Sequence, residues 1–130
     1  MLNKKEFVAA IIDFANMMDC DPSELLVSHG GAMLLMGHKK STKDIDLHVS
    51  TDVWVKAVRS VDHAPIPLGN GVWMLPMTTN IDIFVGGADA TYPPIKHKTG
   101  FMYTGHNQTL LDYQRLNRPK DQESIRKLTN

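Results

Sequence analysis

The chain has a single cysteine, Cys20, so no internal disulfide can form, and a reducing compartment is the simplest expectation. It has no excess of either charge. The 14 Lys and Arg residues balance 14 Asp and Glu, so overall charge does not recruit a polyanion, although a local patch still could. No stretch approaches the ~20 consecutive apolar residues of a membrane span. The charged start, Met1 to Phe7, leads into an amphipathic stretch rather than a signal-peptide core. Internal repeats and low-complexity tracts are also missing. A membrane partner is therefore not expected, and the expected location is the cytoplasm. What is present is a hydrophobic fraction of 42% in 130 residues, enough to bury one core, so residues 1–130 are expected to form one domain.

Local patterning alternates helices and strands. Phe7, Val8, Ile11, Ile12, Phe14 and Ala15 recur at helical spacing, which predicts an amphipathic helix from about Lys4 to Met18. Leu25 to Ser28 reads as a short buried strand, broken by Gly30-Gly31. A short helix is then expected over Ala32 to Met36, closed by Gly37. Asp44 to Ser50 alternates strictly and is the clearest strand. Thr51 is the expected cap of a helix to about Ser60. Gly69-Asn70-Gly71 marks a hairpin turn, and Ile81 to Val85 reads as another strand. Ala88 to Gly105 is expected to be loop-rich, with a short strand around Phe101 to Tyr103. Asn107 is the expected cap of a helix through Leu116, and Pro119 opens a last helix ending near Leu128. Met17, Met18, Met33, Met36 and the aromatic residues, Trp73 and Tyr103 among them, are expected mainly in the core.

Three features carry potential chemistry. Gly30-Gly31, between a strand and a short helix, lets backbone N–H groups approach an anion; its plainer reading is a turn. Asp44-Ile45-Asp46 puts two carboxylates on one strand face, about 7 Å apart. Like charges so placed repel unless a hard cation neutralises them; the plainer reading is a solvated face. Asp82 interrupts the apolar run Ile81 to Val85, where a buried, unpaired carboxylate would be costly. Its plainer reading is an outward-facing residue. His48 shares the Asp44 and Asp46 face, whereas Lys43 falls opposite by alternation unless the strand starts later. Other nucleotide motifs fail. A P-loop needs Gly-x4-Gly-Lys-Ser/Thr, but five residues separate Gly31 from Gly37 and His38 follows.

Together, Gly30-Gly31, Ser41-Thr42-Lys43-Asp44-Ile45-Asp46-Leu47 and Ile81-Asp82-Ile83-Phe84 resemble the nucleotidyltransferase superfamily, the group that includes the polymerase-beta-like enzymes. Ser28 to Val49 is most similar to minimal bacterial and phage members, including abortive-infection toxin-like ones. The resemblance implies an α+β class with the minimal nucleotidyltransferase fold, a mixed sheet packed by helices and closed by C-terminal helices. It implies that Asp44, Asp46 and Asp82 are the catalytic carboxylates and hold two Mg²⁺ ions, with Mn²⁺ as a substitute. It places Gly30, Gly31, Lys40, Ser41 and Thr42 at the nucleotide. The implied activity is transfer of a nucleoside monophosphate from ATP or another NTP to a hydroxyl of RNA, a tRNA end, a protein or a small molecule. It leaves one alternative, the same fold kept as a binding or regulatory module, as in a phage or toxin–antitoxin component. Lys40 stands where members carry arginine, Gln114 where they often carry lysine, and Ser124 where a later acidic residue falls. Arg118-Pro119-Lys120-Asp121 resembles the closing helix, with Arg118 and Lys120 either turned to phosphate or held in a salt bridge.

Overall fold

In the computed structural model, which describes residues 1–78, 80–87 and 90–130, the first long element is held by its own cap. Helix α1 (Lys4–Met17) starts at Asn3, whose side chain accepts from the Glu6 N–H at 2.9 Å, while the Glu6 carboxylate accepts from the Asn3 N–H at 3.0 Å. Its apolar stripe, Phe7, Ile11, Phe14 and Ala15, is buried. A 3₁₀ turn over Pro22–Glu24 then leads into strand β2 (Leu25–Val27). Helix α2 (Gly30–Leu35) takes both glycines into its first turn, so it starts two residues before the expected Ala32.

The alternating segment forms strand β4 (Ile45–Val49), with Ile45, Leu47 and Val49 buried and Asp46 and His48 half-buried. Helix α3 (Thr51–Ser60) is capped by Ser50, not by Thr51: the Ser50 Oγ accepts from the Val53 N–H at 3.3 Å, and Thr51 is the first helical residue. Strands β5 (Ile66–Gly69) and β6 (Val72–Pro76) form the hairpin expected around Gly69-Asn70-Gly71, and β7 (Ile81–Val85) follows. Of the loop-rich crossing expected from Ala88, residues 88 and 89 lie outside the described residues. The rest contains two short strands, β8 (Ile95–Lys96) and β9 (Met102–Tyr103). Helix α4 (His106–Leu116) begins after Gly105 and lacks the side-chain cap expected from Asn107. Asn117 ends it in the left-handed conformation. Pro119 opens a 3₁₀ turn over Pro119–Asp121, and α5 (Gln122–Thr129) closes the chain.

The architecture is α+β, with five helices and a mixed seven-stranded sheet among the described residues. The strand order is β5-β6-β7-β4-β2-β9-β8. The β4–β7 and β2–β9 pairs are parallel and the other neighbours antiparallel. A separate two-stranded ladder joins β1 (Leu2–Asn3) to β3 (Ser41–Thr42), which no sequence pattern announces. One sheet face packs against α1 and α3: Leu25, Val27, Leu47, Ile83, Phe7 and Ile11 are all fully buried in one cluster. Each such side chain contributes about 1.5–3 kcal/mol by leaving water. A smaller cluster, Met33, Tyr113 and Leu128, ties α2, α4 and α5 together. Met17 (59% exposed) and Trp73 (44%) leave the core in which they were expected; Met17 ends α1 on its solvent side and Trp73 belongs to the outer hairpin. Among the described residues no helix is long and apolar enough to cross a membrane.

Candidate functional site: a carboxylate and lysine cavity beside the sheet

Parallel pairing of β4 with β7 puts Asp46 and Asp82 in register as neighbours across the sheet. Their Cα atoms are therefore about 5 Å apart, with both side chains on the same face. Asp44 lies just before β4, two residues along from Asp46. The placement leaves its mark on the acids. Burial, reinforced by the Asp82 and Asp44 charges, pushes the Asp46 carboxyl above the usual range, while His29 pulls it the other way. Burial and the Asp44 charge raise Asp82 in the same direction.

Two of these acids border a cavity of about 820 Å³. Asp44 and Asp46 line it; Asp82 stands beside Asp46 but outside the lining. Among the described residues no three His, Cys, Asp or Glu side chains are grouped as a ready metal-binding set. The donor chemistry still suits a hard cation: Mg²⁺ is commonly held by one or two carboxylates and completed by phosphate oxygens and water.

The phosphate-binding residues named from the sequence divide. Gly30, Ser41 and Thr42 line the cavity, whereas Gly31 and Lys40 do not. Gly31 is a packing residue: a Cβ there would stand 2.5 Å from Phe7 Cζ and 2.6 Å from Val27 Cγ1, so its hydrogen lets α2 lie on α1 and β2. At Gly30 the nearest atom would be Thr42 Oγ1 at 3.3 Å, with Lys39 Nζ next at 3.6 Å. Lys39, not Lys40, therefore supplies the cation beside Gly30. It is half-buried while Lys40 is exposed, and burial together with Lys127 lowers its ammonium pKa. Lys43 also lines the cavity, because β4 begins only at Ile45 and strand alternation does not reach back to it.

Arg118 and Lys120 border the cavity too. Of the two readings of Arg118, the salt bridge is present. Arg118 lines the cavity while its guanidinium is forked onto the buried Asp121, Nε to Oδ2 at 2.8 Å and Nη2 to Oδ1 at 3.0 Å. This pair holds Asp121 below the usual carboxylate range and fixes the turn between α4 and α5. Two residues along β4 from Asp46, His48 stacks on Phe84, ring centroids 5.4 Å apart and planes 28° off parallel. Burial lowers the His48 pKa and so favours its neutral ring.

Among the lining residues that sequence reasoning did not single out are Asp112, Lys39, His29 and Tyr113. The last is a buried α4 residue whose ring meets His29 edge-on at 5.5 Å. Neither Gln114 nor its α4 position lines the cavity.

No protein-family model, curated protein or solved structure gives a significant match to this chain.

Proposed function

We propose that the chain is a divalent-metal-dependent nucleotidyltransferase of the minimal fold, transferring a nucleoside monophosphate from an NTP to an acceptor hydroxyl. One observation carries this reading: Asp46 and Asp82 are register partners beside a cavity lined by carboxylates, by cationic side chains and by the aromatic pair His48 and Phe84, two residues along the same two strands. A nucleotide has the matching parts, a polyanion that needs cations and a planar base that needs a ring to stack on. In this reading Asp44, Asp46 and Asp82 hold Mg²⁺, which when bound offsets the charge gathered on the triphosphate. Lys39 and Lys43 hold phosphate oxygens as point charges, alongside the Ser41 and Thr42 hydroxyls. The Phe84–His48 stack offers the base a flat surface. In the transfer, the acceptor oxygen forms a bond to the α-phosphorus as the α–β bridging P–O bond breaks. The hydroxyl proton goes to the Asp82 carboxylate, and pyrophosphate leaves.

The position of Asp82, outside the cavity lining, favours one second reading, a nucleotide-binding module without turnover. The two separate in one experiment. Calorimetry with ATP, GTP, CTP and UTP, with and without Mg²⁺, is expected to show binding only with the metal. Labelled NTPs with an RNA pool or a lysate are then expected to label an acceptor, and Asp82→Asn to abolish labelling. Binding without labelling selects the module; no binding of any NTP removes both readings.

A further inference from the structure

His29 joins β2 to α2 with φ 56° and ψ −124°. The other non-glycine residues at positive φ are Asp19, Asn70 and Asn117, short polar types that tolerate the left-handed helical basin. The ψ of His29 lies outside that basin, where a Cβ crowds the backbone and glycine is far better suited. Two glycines follow immediately, yet both take ordinary helical geometry, and the strained position carries the ring. Strain of this kind persists where surrounding structure enforces it, and it gathers at ligand sites.

The ring is held on two sides. Its Nδ1 lies 2.9 Å from the Oγ of Ser28, which is 2% exposed, and its face or edge meets Tyr113 at an interplanar angle of 85°. Nε2 has no protein partner among the described residues, and the side chain lines the cavity that Asp46 and Lys39 also line. When the Ser28 hydroxyl donates to Nδ1, Nε2 carries the proton and is a donor, as an anionic oxygen requires.

We propose that His29 is a ligand-contacting residue whose Nε2–H donates to a non-bridging phosphate oxygen of the nucleotide, and that its strained backbone is retained to aim the ring there. This rests on the nucleotide reading of the same cavity. Strand β2 and helix α2 over-determine the backbone, and Ser28 and Tyr113 fix the ring about it.

The test sets stability against affinity. His29→Gly relieves the backbone and is expected to melt ~3–5 °C higher without metal. It is also expected to bind Mg²⁺–ATP, or whichever NTP the wild type prefers, at least ~10-fold more weakly. His29→Ala keeps the strain, so the same loss of affinity is expected without the gain in melting temperature. His29→Gln, with an amide N–H that can reach a similar point, is expected to recover part of the affinity. A His29→Gly protein that melts lower and binds as the wild type does would make the ring a packing element and overturn the proposal. If it both melts lower and binds more weakly, His29→Gln decides: recovered affinity supports the contact, and none overturns it. If Asp46→Asn loses binding while every His29 variant keeps it, this inference alone falls. If the wild type binds no NTP with Mg²⁺, the nucleotide reading falls and takes this contact with it.

Discussion

Ile45, Leu47 and Val49 of β4 turn to the helices, and Asp46 and His48 turn to the cavity. Five consecutive residues thus serve two environments that differ in almost every physical respect. On the helix side, Leu47 and its register partner Ile83 are fully buried among Phe7, Ile11 and Val53, and water exclusion supplies the stability. On the cavity side, the register pair is Asp46 with Asp82, and bringing those carboxylates together works against folding. The contrast teaches that one pleated strand can carry the cohesion of a domain and its strain, because side chains alternate with period two.

The contrast is most strongly tested on its stable side. Leu47→Ala is expected to destabilise by about 2–5 kcal/mol, from lost transfer free energy plus the cavity left behind. Urea titration would measure it, and nucleotide affinity of the folded fraction is expected to be unchanged. A loss below ~1 kcal/mol would show that the helix-covered face relaxes around the deletion.

Smaller, and on the cavity side, is the difference between two adjacent lysines. Lys39→Met is expected to weaken NTP binding by ~10-fold, about 1.4 kcal/mol. Lys40→Met is expected to change affinity less than ~2-fold and stability within about 0.5 kcal/mol, as for an exposed residue. Equal effects of the two in calorimetry would show that position in the cavity does not decide which lysine meets the triphosphate.

The smallest expected effect concerns the acids themselves. Burial first, then the Asp82 and Asp44 charges, raise the Asp46 carboxyl in the folded state, so ionised Asp46 opposes folding. A carboxyl raised in this way binds its proton more tightly folded than unfolded. Its penalty is present at neutral pH, shrinks as pH falls through the raised value, and is gone below the ordinary carboxylate value. Asp46→Asn never carries the penalty. Without metal it is expected to be more stable than the wild type by on the order of 1 kcal/mol at neutral pH, after allowing for solvent screening, and to lose that advantage on acidification. Asp121, held low by Arg118, responds with the opposite sign, but it is common to both proteins and cancels in the difference. Melts of the pair across pH in EDTA measure this. A mutant no more stable at neutral pH would mean that Asp46 is solvated well enough to carry its charge freely.

The elements legible in the sequence were those with a strong local period. The stripe of Phe7, Ile11 and Phe14 marks α1, and strict alternation marks β4. The helix starts were read less well. Ser50 rather than Thr51 caps α3, because either hydroxyl suits the position by type and only the backbone shows which residue is extended. The ladder of β1 with β3 had no signal, since two-residue strands have no period to read. At the site, Asp46 faces the cavity by alternation within β4 and Asp44 reaches it from just before the strand, but Gly31 proved to be a contact point for Phe7 and Val27 rather than part of the cavity wall. A Gly-Gly turn looks the same in sequence whether its second glycine admits a ligand or a phenylalanine.

Local pattern alone sets Asp46 and His48 facing one way, Ile45 and Leu47 facing the other, and a chain that mixes helices with strands. These follow from period and from the covalent pleat of a strand, which act over a few residues. Tertiary packing sets the rest: Asp82 stands beside Asp46, Lys39 and not Lys40 reaches Gly30, Arg118 is forked onto Asp121, and His29 bears a strained backbone. Each depends on which strands pair and which helices pack. That is settled by the burial of the whole apolar set at once, a property no local window of residues contains.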